Sequence, residues 1–161
     1  MAVTLPTTLT DQVRLSSLIV DATVKRVLPA EPRVINIVPG SAEAQINAKT
    51  GGSETTAAFG EIEFTVNEVL KGDAGESLVM DISPLADGCA PEFTPGDRFV
   101  LFLFQNDEGH LFSVALQDAY WYVAKDARVY PAVVTDQLKT YSGKGLGPFK
   151  SAINAIKREL K

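Results

Sequence analysis

The sequence predicts a mainly β protein: an antiparallel barrel of five to seven strands, with a short N-terminal helix and an amphipathic C-terminal helix. Apolar and polar residues alternate with a period of two in several segments, as in strands that bury one face. Turn residues separate these segments, and helical spacing of apolar residues occurs only near the two ends of the chain. Because 161 residues suffice for one core, we expect residues 1–161 to form a single domain.

The N-terminal helix is predicted over residues 8–15. Thr8 or Thr10 can cap it, and the carboxylate of Asp11 suits the positive end of the helix dipole. The first strand follows at residues 18–24, where alternate apolar residues share one face. These residues are Leu18, Val20, Ala22 and Val24.

Residues from about 30 to 58 form the least regular part of the pattern. Pro, Gly, Ser and Thr residues interrupt it, although residues 34–38 could form a short strand. We therefore expect a flexible excursion. Because long surface loops cost little closure entropy, we interpret it as a tolerated insertion without a function of its own.

Three further strands are predicted after this excursion. Residues 61–66 and 78–82 alternate cleanly, and a break in parity at residues 67–68 predicts a β-bulge. Residues 97–104 are apolar at consecutive positions, which predicts a central strand covered on both faces. The turn at residues 106–109 then predicts a β-hairpin.

The last part of the chain is predicted to contain two strands and a helix. Residues 120–124 and 128–134 are candidate strands, divided by a turn at residues 125–126. Residues 148–160 carry apolar side chains at helical spacing, which predicts an amphipathic helix docked on the sheet. These side chains are Phe149, Ile153, Ile156 and Leu160.

Charge and hydropathy exclude two classes of partner. The net charge of −5 repels phosphate backbones, so no nucleic-acid partner is expected. No apolar run approaches the roughly 18–20 residues that cross a bilayer, so we expect a protein that does not span a membrane. We also expect a monomer. Residues 1–7 lack the basic and apolar regions of a secretory signal, so the protein is either cytoplasmic or exported with its signal removed.

A series of strand and turn motifs resembles a known family. The motifs are residues 16–24, 64–72, Gly88-Cys89 and 95–103. Their order is similar to that of small exported bacterial domains, and to the netrin-like, tissue-inhibitor-of-metalloproteinases (TIMP) type of OB barrel. The resemblance covers roughly residues 15 to 105. It implies an OB-like barrel and an extracytoplasmic location.

The resemblance bears on the fold more than on the function. In the metalloproteinase inhibitors, an N-terminal cysteine chelates the catalytic zinc and disulfides fix that segment. Cys89 is the only cysteine here, so neither this mechanism nor any functional residue carries over. We expect Cys89 to be a small, semi-buried residue.

The sequence contains no set of residues typical of a catalytic or metal site. His110 is the only histidine and lies beside a turn, so neither a catalytic triad nor a four-ligand zinc site is expected. Glu61 and Glu63 share the outward face of one strand, and solvated charges explain both. Asp81 on the outer face of its strand could bind calcium weakly, but the sequence contains nothing like an ordered oxygen-ligand loop. We therefore predict no catalytic residue, no metal and no cofactor.

An aromatic cluster is the most prominent candidate for a binding surface. Tyr120, Trp121 and Tyr122 are consecutive, and Tyr130 is close to them in the sequence. Alternation places Trp121 opposite Tyr120 and Tyr122, so part of the cluster faces outward unless the C-terminal helix covers it. Packing in the core is the favoured interpretation, and a groove for a ligand or partner is the alternative.

Three hypotheses for the function follow. The leading one is a noncatalytic, extracytoplasmic binding or interaction module with a protein or glycan partner. The second is a netrin-like inhibitor or regulator of a hydrolase, which the resemblance alone suggests. The third and least favoured is a carboxylate-dependent enzyme built on Glu61, Glu63 or Asp81.

Overall fold

The computed structural model describes residues 8–36, 54–82, 92–115 and 119–160. The elements in chain order are α1 (Leu9–Leu15), β1 (Leu18–Asn36), β2 (Glu54–Lys71), β3 (Ser77–Ile82), β4 (Arg98–Gln105), β5 (Leu111–Ser113), β6 (Tyr120–Val123), β7 (Val129–Pro131) and α2 (Leu146–Glu159). Cys89, which the sequence predicts to be semi-buried, lies outside the described residues.

Five of the strands close into a barrel. They pair in the order β1, β2, β3, β5, β4, and β4 pairs again with β1. β6 adds to β4 at residues 98–101, beside the part of β4 that does not pair with β5, and β7 adds to β6. The mainly β, OB-like barrel with a helix near each end is confirmed. One ladder departs from the antiparallel prediction, because β3 and β5 meet in a parallel pair between Met80 and Leu111.

The inner core fills the barrel with the inward side chains of its strands, because successive strand residues point to opposite faces. Its members are Leu18, Val20, Ala22, Val24, Ile62, Phe64, Leu78, Met80, Phe93, Phe99, Leu101, Leu103 and Tyr120. The inward positions predicted for residues 18–24, 61–66 and 78–82 are therefore confirmed. Phe93 comes from the segment before β4, and its ring contacts those of Phe64, Phe99 and Tyr120.

The outer core lies between the barrel and the two helices. Its members are Leu9, Val13, Ile19, Leu70, Val100, Phe102, Ala115, Ala119, Trp121, Val123, Val129, Leu138, Leu146, Phe149, Ile153 and Ile156. Strand β4 contributes to both cores, because Leu101 faces the barrel interior and Phe102 packs against Phe149 of α2. The prediction that β4 is covered on both faces is confirmed.

Strand β2 contains the bulge that its sequence predicts. The pairing with β1 slips between Asp21–Glu68 and Ala22–Val66, so Asn67 is the extra residue. A second slip between Ile19–Lys71 and Val20–Val69 makes Leu70 an extra residue as well. Each slip shifts the side-chain alternation by one residue, and Leu70 thereby joins the outer core.

Strands β1 and β2 extend into the range for which the sequence predicts a flexible excursion, residues 30–58. Residues 31–36 pair with residues 54–59 as continuations of β1 and β2. This includes part of the short strand that the sequence allows at residues 34–38. Prolines at 29 and 32 weaken the strand pattern, yet proline is tolerated in strands that have a free edge. Residues 37–53 lie outside the described part of the chain.

Both helices form where the sequence predicts them. The hydroxyl of Thr8 accepts a hydrogen bond from the Asp11 amide, and the Asp11 carboxylate accepts one from the Thr8 amide, which completes a capping box. α2 begins two residues before the predicted start at 148, and Leu160 follows its last residue and is exposed. Neither described helix is long and apolar enough to cross a membrane.

Candidate functional site

Tyr120 and Trp121 lie in the two cores and not on the surface. Tyr120 faces the barrel interior, where burial raises its pKa to about 12 and a hydrogen bond with Ser113 opposes that effect. Trp121 faces the outer core, and its indole N–H donates to the buried Gln12 side chain over 2.9 Å. Both residues therefore lie in the core, which is the interpretation that the sequence favours: α1 and α2 cover Trp121, and the barrel encloses Tyr120.

Tyr122 and Tyr130 remain at the surface and are brought together. They lie directly opposite each other on β6 and β7, and their exposed fractions are 37% and 38%. The Tyr122 ring packs edge-on against Phe99 of the inner core, with centroids 5.7 Å apart. Tyr130 lies close to Gly143, where an added Cβ would be 3.8 Å from the tyrosine ring. We call these two residues the tyrosine pair.

More apolar surface follows the tyrosine pair along the chain. Val133 and Val134 come directly after β7, and they are 42% and 59% exposed. At the opposite end of β7, Arg128 donates to the carbonyl of Gly143 and forms an ion pair with Asp126. Tyrosine and arginine are both enriched at protein–protein contact surfaces.

An Asp–His pair is the main polar feature that sequence reasoning missed. Nδ1 of His110 lies 2.6 Å from the buried carboxylate of Asp81, and Nε2 lies 4.0 Å from the carboxylate of Glu108. Asp81 and His110 approach because β3 runs parallel to β5 at Met80. No local sequence signal reveals that approach, because it depends on how distant strands pair.

Two of the three carboxylates in the enzyme hypothesis, those of Glu63 and Asp81, contact nitrogen atoms of basic side chains. Glu63 is largely buried and forms ion pairs with Arg26 at 3.1 Å and Lys25 at 3.6 Å, so it is not the solvated charge we predicted. Asp81 is likewise buried against His110, and Glu61 lies opposite it on β2. In the part of the chain that the structure describes, no group of three His, Cys, Asp or Glu residues is arranged to hold a metal ion.

A buried aspartate ties the barrel to α2. Both oxygens of Asp21 accept hydrogen bonds from Arg98, at 2.7 and 2.5 Å, and one also accepts from Lys150 at 2.7 Å. Burial by itself raises the pKa of Asp21, but the hydrogen bonds from Arg98, Lys150 and Asn67 outweigh it and hold the pKa below its ordinary value. This network joins β1, β2, β4 and α2, so its role is structural.

A cavity of about 390 Å³ lies at the end of the barrel away from the tyrosine pair. The turn after β2 borders it, together with Ser17, Ser77, Gln105 and Leu111. The mouths of barrels are common sites for small ligands. This one has serine and amide groups on its wall, but none of the aromatic residues that the sequence singles out.

Comparison with known proteins gives no relative from which a function could be carried over. No protein-family model matches the chain, and no curated protein matches it either. The interpretation of the site therefore rests on its geometry and chemistry.

Proposed function

We propose that this protein is a noncatalytic binding module that acts outside the cytoplasm and contacts a partner protein through the tyrosine pair. The observation that carries the proposal is the placement of Tyr122 and Tyr130 side by side at the surface, while Tyr120 and Trp121 are buried. Tyrosine supplies a large contact area with few rotatable bonds and is enriched at binding hot spots.

The surroundings of the tyrosine pair favour a protein over a glycan. Sugars need several hydrogen-bonding groups around an aromatic platform, whereas the exposed residues that follow β7 in the chain, Val133 and Val134, are aliphatic. The ring of Tyr122 is also held in place by Phe99, which lowers the entropy that a contact has to overcome. Both features suit a surface for an apolar protein patch.

The polar groups are consistent with a noncatalytic role. Glu63 is neutralised by Lys25 and Arg26, and Asp81 lies against His110. An enzyme that uses two carboxyl groups needs both of them to face one cleft with room for a substrate. The proposed location outside the cytoplasm rests on the resemblance to exported domains, and fractionation of the source cells followed by immunoblotting tests it.

Site-specific photo-crosslinking tests the proposal in the native host. A photoreactive phenylalanine analogue replaces Tyr122 or Tyr130, and the same analogue at Phe104 is the control, because Phe104 is exposed to a similar degree near the other end of the barrel. We expect a defined protein adduct from positions 122 and 130 and none from 104. Equal adducts at all three positions, or none from the tyrosine pair, would contradict the proposal.

Affinity measurements then define the partner class. With the crosslinked protein purified, the double variant Y122S/Y130S is expected to bind at least about tenfold more weakly, whereas V79S/F104S binds normally. If a glycan array retains the wild type but not Y122S/Y130S, the ligand of the tyrosine pair is a glycan and not a protein. Activity assays with and without the module show whether a partner that proves to be a hydrolase is regulated.

A further inference from the structure

Two lysine side chains converge on a small cavity that the proposed function does not use. The cavity has a volume of about 230 Å³, and Val13, Lys71, Lys157 and Leu160 line it. It lies where the end of β2 meets the C-terminal parts of α1 and α2. We call it the lysine cavity.

Backbone carbonyl groups hold both ammonium groups in place. Nζ of Lys71 donates to the carbonyl of Val13 over 2.7 Å, near the C-terminal end of α1. Nζ of Lys157 donates to the carbonyl of Leu70. An ammonium group has three donors, so each lysine retains two beyond its carbonyl contact.

Neither lysine has a carboxylate partner in the described part of the chain, although the protein has 20 acidic and 15 basic residues. Lys150 shows the contrast, because its ammonium pairs with Asp21 at 2.7 Å and with Glu68 at 3.4 Å. Burial, and then the nearby charge of Lys157, lower the pKa of Lys71. Two partly buried like charges beside one cavity are therefore left without a counter-charge from these residues.

We propose that the lysine cavity binds a small organic carboxylate, whose oxygens bridge the ammonium groups of Lys71 and Lys157. The aliphatic part of the ligand then contacts Val13 and Leu160, which give the cavity its apolar wall. Charge-assisted hydrogen bonds from two ammonium groups suit a carboxylate, and the apolar wall favours one with a short hydrocarbon chain over a fully hydrated inorganic anion. This site is independent of the tyrosine pair.

Nuclear magnetic resonance of the full chain tests the proposal, with the lysine side chains labelled by carbon-13. Acetate, butyrate and inorganic phosphate are titrated separately at constant ionic strength, with sodium chloride as the reference. We expect the ε-methylene signals of Lys71 and Lys157 to move together and to saturate with butyrate at lower concentration than with acetate. Lys139 is the internal control, because it is an exposed lysine that pairs with Asp136.

Variants assign the site. K157Q is expected to weaken butyrate binding at least about tenfold, which corresponds to the loss of one charge-assisted hydrogen bond, whereas K139Q leaves binding unchanged. L160S is expected to reduce the preference for butyrate over acetate while acetate still binds. If K157Q fails to fold, the coupled movement of the two wild-type signals still decides the question.

Three results would overturn the proposal. One is a lysine response to chloride equal to that with butyrate, which would indicate nonspecific screening. Another is tighter binding of phosphate than of either carboxylate, which would assign the cavity to phosphate groups. The third is no saturable movement of the Lys71 and Lys157 signals with any anion.

Discussion

The contact between Trp121 and Gln12 explains how a large polar-tipped side chain is accommodated in the outer core. An indole N–H buried without a partner costs free energy, and Gln12 on α1 supplies the acceptor. We expect Gln12→Leu to lower the free energy of unfolding by about 1–3 kcal/mol, because it leaves that N–H unpaired. Urea denaturation followed by circular dichroism measures the change.

Gln105→Leu is the matched control for this substitution. The amide of Gln105 donates to the exposed carbonyl of Gly109, so water can replace the contact. Its loss should change stability by less than about 0.5 kcal/mol. Equal effects of the two substitutions would show that the buried hydrogen bond to Trp121 contributes no more to the free energy of unfolding than the exposed one.

Asp21 carries a fully buried carboxylate that pairs with two cationic side chains, those of Arg98 and Lys150. Asp21→Asn removes the charge that Arg98 and Lys150 share, while the asparagine side chain is completely buried in the same place. We expect a loss of about 2–4 kcal/mol in the free energy of unfolding, toward the lower end because the Arg98 side chain is 38% exposed and water screens it. Asp126→Asn removes an ion pair between two exposed side chains and should cost less than about 0.5 kcal/mol.

The same residue predicts how stability depends on pH. The folded-state pKa of Asp21 is below its unfolded value of about 3.9, so its contribution is fully present above that pH and is lost as pH falls through the folded-state pKa. The difference in urea midpoint between wild type and Asp21→Asn should therefore be constant from about pH 7 to 5 and shrink below about pH 4. A difference that persists undiminished at about pH 2 would argue against this origin.

The burial of outward-facing carboxylates could not be predicted from the sequence. Alternation correctly assigns Asp21, Glu63 and Asp81 to the outer face of their strands, but it does not reveal what covers that face. Helix α2 covers Asp21, and His110 reaches Asp81 from a distant hairpin. Only the arrangement of elements in space, which no local pattern encodes, buries these carboxylates against basic side chains.

The turn that connects β2 to β3 depends on a single glycine. Gly72 has a φ of +80°, and a Cβ at this position would lie 2.3 Å from the backbone oxygen of Ser17. Gly72→Ala is therefore expected to lower the free energy of unfolding by about 2 kcal/mol or more. Alanine disfavours a positive φ, and its Cβ would overlap the backbone oxygen of Ser17. Thermal unfolding monitored by circular dichroism measures this effect.

Gly75 in the same turn provides the comparison. An added Cβ there would meet no atom within 4 Å, so Gly75→Ala should be close to neutral. A loss at position 75 as large as that at position 72 would mean that the whole turn, and not the approach of Ser17, limits the substitution.

The elements themselves were largely predictable because each carries its own periodicity. Strand β4 shows this best, since consecutive apolar residues predicted two covered faces and the structure has them. The ends of β1 and β2 were missed, because prolines and small residues weaken the alternation there and pairing between two distant segments compensates. The sequence identifies the aromatic residues of β6 and β7, but it does not show which of them the helices cover, because that depends on how α1 and α2 pack on the sheet.

The two cores of the molecule lie on opposite faces of the same strands. β1, β4 and β6 each contribute to both of them, as Leu101 and Phe102 on β4 illustrate. A strand that loses its support on one face also loses the geometry that aligns its other face. The cores should therefore unfold together, as expected of the single domain that the chain length predicts.

Substitutions on the two faces of β4 test this cooperativity. Leu101→Ala opens a cavity in the inner core and Phe102→Ala in the outer core, and because both side chains are fully buried each should cost about 2–5 kcal/mol. Fluorescence of Trp121, the only tryptophan, reports on the outer core, whereas far-ultraviolet circular dichroism reports on the whole sheet. In both variants the two signals should shift to lower urea concentration with coincident midpoints. If Leu101→Ala moved the circular dichroism midpoint and left that of Trp121 in place, the outer core would be a separate folding unit.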